Sequence, residues 1–305
     1  MVLLAAPKKD RVTRFATPSV NSRPGAIIAG ADGALWFAET ETTAIGRITT
    51  DGTITEFRIP AGGVPTGLTV GPDGAIWFTE STAARIGRLT SRGTFTEFPI
   101  SEGGQPMGIA AGPDGAIWYT NAVGTVGRLT GDGLLSEFAV PSGSPLGIAA
   151  GDGHVWYTVP DANKIGKMNS GGGFFEYPVP TRNGRPTAIV AGGDHNYWFI
   201  EAPLSGPFNP ESRIGRISSM GNTLDFTTDV PHGLPVGIAV GPDGDLWFTD
   251  PPSSSIRSIS TTGKLTRIKI KANGPTGITA GPDGAIWFTE QPNGIGRIAL
   301  DADDD

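Results

Sequence analysis

Glu39, Glu80, Asn121, Val159, Glu201, Asp250 and Glu290 stand at the same place in seven copies of one run, and five of the seven are carboxylates. A set of carboxylates on one face is the oxygen donor set that Mg²⁺ or Ca²⁺ takes, which makes Glu201, Asp250 and Glu290 the candidate metal ligands and Mg²⁺ a possible cofactor. Proton transfer would need a base. His232, in VPHGLP, is the imidazole expected on that face, and Glu290 is the second acid–base candidate. His154 and His195 fall beside turns at the opposite end of the units, where surface roles are expected.

A second repeated set answers the acids. Arg47, Arg88, Arg128, Lys167, Arg216 and Arg297 recur in IGR-like runs, with Arg257 displaced by one. A catalytic site normally marks one repeat, so near-uniform repetition argues for architecture. The expected arrangement is an ion-pair ladder, one carboxylate of the first set to one cation of the second in each unit.

The elements that must position these residues follow from the repeat. GPDGAIWFTE at 71–80 returns unchanged at 281–290, and weaker copies begin at Gly30, Gly112, Gly151, Gly192 and Gly241. Each copy holds one of the seven tryptophans, Trp36, Trp77, Trp118, Trp156, Trp198, Trp247 and Trp287, at spacings of 41, 41, 38, 42, 49 and 40. A period near 40 with an aromatic signature means units that bury their apolar faces against their neighbours. Within 65–100 four strands appear: A over 65–71, B over 75–80, C over 85–90 and D over 94–100. Pro72-Asp73-Gly74 makes A and B a tight hairpin. No segment keeps a helical period over ten residues. The reading is all-β: a seven-bladed β-propeller of four antiparallel strands per blade, with each indole in the core. The last unit stops after strand C, whereas residues 12–17 look like a strand D, so the N-terminal strand should complete the last blade and remove both free edges.

Residues 1–10 read as a flexible arm, 11–300 as one propeller and 301–305 as an acidic tail. The net charge of −7, with no Lys/Arg run, speaks against nucleic-acid or anionic-membrane partners, and a monomer is expected. The absence of cysteine fits a reducing or an oxidising compartment equally, so the location stays open between cytoplasm and export after loss of a leader. The residue after the proline that opens each strand A should ring the channel mouth: Gly25, Thr66, Met107, Leu146, Thr187, Val236 and Thr276. These are uncharged, and Thr66 to Thr276 form the candidate surface for a small-molecule or peptidic ligand. The connection 202–212 in blade five is about eight residues longer than its equivalents, reads as a wall over the mouth, and brings Phe208 to the ligand set.

The tandem of PxGI, GPDGxIWFTE, IGRI and TEFxIP over about residues 11–300 resembles the streptogramin B lyase (virginiamycin B lyase) family. The resemblance implies a seven-bladed propeller closed by its N-terminal strand. It also implies Mg²⁺-assisted elimination at the ester of a cyclic depsipeptide antibiotic, with histidine as base. Those lyases carry histidine directly after the proline of strand A in blades six and seven; here Val236 and Thr276 stand there, Gly274 replaces a glutamate, and Gln291 replaces another. The expectation is therefore a lyase-like propeller that binds a ligand at its mouth without the family's catalytic set. The alternatives are a Mg²⁺-dependent carbon–oxygen lyase using His232 with Glu290, Asp250 or Glu201, and a protein-interaction platform.

Overall fold

The structure, a computed structural model, describes residues 12–203, 211–228 and 233–300, with backbone alone for 266–271. The expected arm 1–10, the tail 301–305, Phe208 with most of the long blade-five connection, and His232 lie outside the described residues.

Seven four-stranded antiparallel sheets form the blades, and in six of them the strands pair in sequence order A-B-C-D. Blade two shows the pattern: A is Pro65–Val70, B Ile76–Glu80, C Arg85–Leu89 and D Phe95–Pro99. Neighbouring A strands touch all the way round, so the A strands line the channel and the D strands form the rim. The seventh blade, Pro275–Ala280, Ile286–Glu290 and Gly294–Ile298, takes its fourth strand from Val12–Ala16, with Val12 opposite Ile298 and Ala16 opposite Gly294. The expected closure is thus present. The one helical element among the described residues is a 3₁₀ turn at Pro160–Ala162.

Why these residues make blades is visible in the stack around each tryptophan. Trp77 is buried in strand B between its own sheet and the next, against Ile109, Ile117 and Tyr119. Its indole lies flat on Phe98 of strand D at 5.3 Å, and the Arg88 guanidinium of strand C lies over it at 5.9 Å. Asp73 of the A–B turn accepts the indole N–H at 3.1 Å and the Arg88 Nε–H at 2.6 Å. One carboxylate, one indole, one guanidinium and one phenyl ring thus tie the turn to strands B, C and D, which is why PDG, WF, IGR and TEF recur together. Gly87 between Ile86 and Arg88 has a packing reason: a Cβ there would sit 2.0 Å from the Phe78 ring.

The ladder of ion pairs exists, but with different carboxylates from those expected. Arg47, Arg88, Arg128, Lys167 and Arg297 pair with turn aspartates Asp32, Asp73, Asp114, Asp152 and Asp283 at 2.6–3.2 Å, and Arg216 approaches Asp194 at 3.8 Å. The reason is register. Arg88 lies opposite Trp77, whereas Glu80 lies opposite Arg85, so the IGR cation sits three residues, about 10 Å, from the end of strand B. In blade six Ser258 lies opposite Trp247 and Arg257 opposite Phe248, as the one-residue displacement in sequence implied.

A second device joins the blades near the channel. The Thr79 hydroxyl accepts the Gly67 N–H at 2.8 Å and donates to the Met107 carbonyl of the next blade at 2.7 Å. Thr120, Thr158, Thr249 and Thr289 do the same with Leu146, Thr187, Thr276 and Gly25. Ala38 and Ile200 hold this place in blades one and five and have no hydroxyl to offer.

Candidate functional site

Antiparallel pairing puts the proline that opens strand A opposite the residue that ends strand B: Pro24 opposite Glu39, Pro65 opposite Glu80, Pro186 opposite Glu201, Pro275 opposite Glu290. The ligand-ring residues and the repeated carboxylates therefore share one face. The aspartate turns and His154, next to its A–B turn, share the other.

At the mouth Thr66, Met107, Leu146, Thr187 and Thr276 are half-buried, and Val236 is 45% exposed. The Thr276 hydroxyl donates to the Pro24 carbonyl across the seam between blades seven and one at 3.0 Å, and it also meets the Thr289 hydroxyl at 2.7 Å. The Gln291 amide donates to the same Pro24 carbonyl at 2.9 Å, while Gln291 Oε1 is buried without a hydrogen-bond donor among the described residues. Gly274 adopts φ +49°, and a Cβ there would lie 3.3 Å from Gln291, so this corner is shaped for glycine. Between blades two and three a cleft of about 790 Å³ opens on this face. It is lined by Ser81, Thr82, Gln105, Met107 and the Gly103-Gly104 backbone. Thr66 reaches its edge through Ser81, hydroxyl to hydroxyl, at 2.9 Å.

The carboxylates lie deeper. Glu39, Glu80, Glu201, Asp250 and Glu290 are all buried at the strand-B ends. Asp250 accepts the Leu234 N–H at 2.9 Å and the Ser253 hydroxyl at 2.7 Å, and Glu290 accepts the Asn273 N–H at 2.8 Å and Arg14 Nε at 2.9 Å. Asn121 likewise accepts the Gln105 N–H at 2.8 Å. These residues hold the loops that lead into strand A. Glu80 is joined to Arg85 at 3.2 Å, yet burial and the neighbouring Glu97 raise its pKa. Glu39 is pushed up to about 7, chiefly by burial and further by Glu56. Glu201 is pushed up to about 8, chiefly by burial and then by Asp225. Sequence reasoning missed those strand-D acids, Glu56, Glu97, Glu137, Glu176 and Asp225; the recurring glutamate of TEF was the available signal.

The described residues do not make the Mg²⁺ site that the family resemblance implies. Among them no three His, Asp or Glu side chains converge as a metal would require. At the blade-seven corner the polar hydrogens of Thr276 and Gln291 point to a backbone carbonyl. A cation there would meet an amide and a hydroxyl in place of carboxylates.

Fold and site together define a closed seven-bladed propeller with an uncharged ring at the channel mouth and buried acids beneath it. The chain belongs to the virginiamycin B lyase family, whose profile matches residues 5–204 and 208–304. It is similar to a solved streptogramin B lyase, with 32% identity, 95% of this chain and 97% of the other covered, and a TM-score of 0.87. It is also similar to a catalytically inactive histidine-to-alanine variant of virginiamycin B lyase from Staphylococcus aureus, solved with quinupristin. That match has 31% identity, covers 95% and 99% of the two chains, and has a TM-score of 0.86. A hydrazine synthase from Kuenenia stuttgartiensis, at 12% identity and a TM-score of 0.77, shares the fold alone. No curated protein sequence matches the chain significantly.

Proposed function

We propose that this chain is a ligand-binding propeller of the lyase family, which takes a small or peptidic ligand on the ring of Thr66, Met107, Leu146, Thr187, Val236 and Thr276 and does not carry out the family's elimination. The observation that carries this reading is the blade-seven corner, where Thr276 and Gln291 both donate to Pro24 O. Elimination at an ester needs a group that removes a proton from carbon, and neither a threonine hydroxyl, a primary amide nor Val236 does so near neutral pH. The Staphylococcus aureus relative became inactive through loss of one histidine, which agrees with a base being indispensable in that enzyme. Ligand binding is supported by the half-buried ring and the cleft beside Met107, whose hydroxyl, amide and thioether lining suits a neutral peptide or acyl surface.

The experiment pairs calorimetric titration of quinupristin with chromatography for ring-opened product, in the presence of Mg²⁺. The expected result is binding without ring opening. Turnover at the level of an active lyase overturns the proposal, and its loss in His232→Ala would then identify the base. A titration that shows no binding, with no turnover, removes streptogramin-type depsipeptides from the ligand class.

A further inference from the structure

Among the described side chains, the residue ending strand B and the third residue of strand D are neighbours in blades one, two, three, five and seven, and their charges follow a rule. In blade seven the pair is Glu290 with Arg14, an ion pair of 2.9 Å. In blade three Asn121 donates its amide to Glu137 at 3.4 Å. In blade two Glu80 faces Glu97 and Arg85 supplies the cation. In blade four Val159 carries no charge and Lys164 answers Glu176 at 2.9 Å. Each of these four blades avoids bringing two uncompensated carboxylates together.

Blades one and five have two carboxyl groups each, Glu39 with Glu56 and Glu201 with Asp225, within hydrogen-bonding reach of one another. Two carboxylates cannot both stay charged at contact in a buried place. The donors around them decide which is neutral. Ser19 gives its N–H and its hydroxyl to Glu56 at 2.9 and 2.6 Å, and Thr181 gives its hydroxyl to Asp225 Oδ2 at 2.9 Å, so the strand-D member holds these donors, while Asp225 Oδ1 is buried without one among the described residues and is open to a proton from Glu201. Glu39 Oε1 and both oxygens of Glu201 are buried and receive no hydrogen bond among the described residues. Glu39 Oε2 accepts from Thr42 at 2.7 Å. The residues opposite Glu39 are Pro24 and Ala44, Ser22 faces it from the loop before strand A, and the nearby Arg23 is paired with Glu41. Opposite Glu201 are Pro186 and Arg213; Arg213 faces the pair with its Nε buried and without an acceptor among the described residues, and Arg185 is paired with Asp161.

We propose that Glu39 and Glu201 hold their protons on the acid side of neutrality, each donating its proton to the strand-D carboxylate beside it, so that blades one and five are proton-binding sites that loosen when the proton leaves. Asn121 in blade three is the built-in counterpart, since its amide N–H makes permanently the contact that an O–H makes in the other two blades. The sign is fixed. A carboxyl that holds its proton in the folded state and loses it near 4.5 when unfolded gives stability that falls as pH rises through the folded value, and then levels off.

The experiment is difference infrared spectroscopy of the full chain between about pH 6 and about pH 9, with thermal melts on the same samples. Expected are protonated-carboxyl C=O bands at the lower pH that vanish at the higher, a melting temperature that drops across the interval, and loss of one band each in Glu39→Gln and Glu201→Gln. The double variant should flatten the melting profile. Absence of the bands in the wild-type chain at about pH 6 overturns the proposal, even if the variants fail to fold. A melt at that pH raised by Mg²⁺ or Ca²⁺ and lowered by a chelator also overturns it, because a cation would then occupy the place assigned to the proton.

Discussion

Arg14 and Glu290 form an ion pair of 2.9 Å across 276 residues of sequence, one on the first strand of the chain and the other in the last blade. Beside it Phe15 stacks on Trp287 at 5.7 Å. The first strand thus supplies the seventh blade with the ring that blades one to five draw from their own strand D, and with a cation where those strands carry an acid. Deleting residues 1–18 should lower the melting temperature sharply and expose the edge of Gly294–Ile298. The point variant Arg14→Ala should cost about 1–3 kcal/mol in chemical denaturation, because it strips a donor from a buried carboxylate. Wild-type stability in the truncated chain would contradict the closure.

Asp73 serves both the Trp77 N–H and Arg88. Asp73→Ala orphans a buried indole N–H and should destabilise by about 1–3 kcal/mol, whereas Arg88→Ala, which removes a half-exposed pair and leaves the indole bonded, should cost less. Equal losses in the two denaturation curves would show that the indole bond carries no weight.

The same aspartates set the acid limit. Burial works to raise the carboxyls of Asp32, Asp73, Asp114, Asp152, Asp194 and Asp283, but hydrogen bonds from their partner side chains outweigh it and hold them below their usual 3.8. A depressed folded value means stability that is complete above the unfolded value and is lost as pH falls through the folded one. Together with the opposite trend from Glu39 and Glu201, this places maximum thermal stability on the acid side of neutrality. Melting temperatures that climb steadily from about pH 5 to about pH 9 would contradict it.

Thr79→Val keeps the shape of the side chain and removes the hydroxyl that serves Gly67 N and Met107 O. The expected loss is about 1–3 kcal/mol, read by denaturation. A neutral result would mean that water replaces the hydroxyl at that seam.

Restoring imidazoles with Val236→His and Thr276→His should give more ring opening of quinupristin than the natural chain. A positioned general base contributes about 10² to 10⁴ in rate, so a partial recovery is measurable by chromatography. Gly274 is best left unchanged, since its φ of +49° penalises a side chain. Activity in the natural chain equal to that of the double variant would contradict the assignment of the missing base.

The propeller was legible because its signals are local and repeated. Trp spacing counted the blades, Pro72-Asp73-Gly74 fixed the hairpins, and the strand-D look of 12–17 gave the closure. The ion-pair partners were not legible, because WFTE and IGR lie close in sequence and only the register, Trp77 opposite Arg88, sends the cation toward Asp73. The acid pairs escaped for a related reason. Glu39 and Glu56 are adjacent only through the side chains of strands B and D, which strand C separates in the sheet. At the mouth, the ring residues were found from their place after proline, whereas the commitment of Gln291 to Pro24 crosses the closing seam and has no trace in local sequence.

Ala38 and Ile200 give the threonine bridges a further meaning. With hydroxyls at Thr79, Thr120 and Thr158, blades two to five are fastened in one run; with Thr249 and Thr289, blades six, seven and one are fastened in another. The hydroxyl bridges thus divide the ring into arcs of four blades and three, and where the arcs meet, at junctions one–two and five–six, apolar packing joins the neighbours in their place.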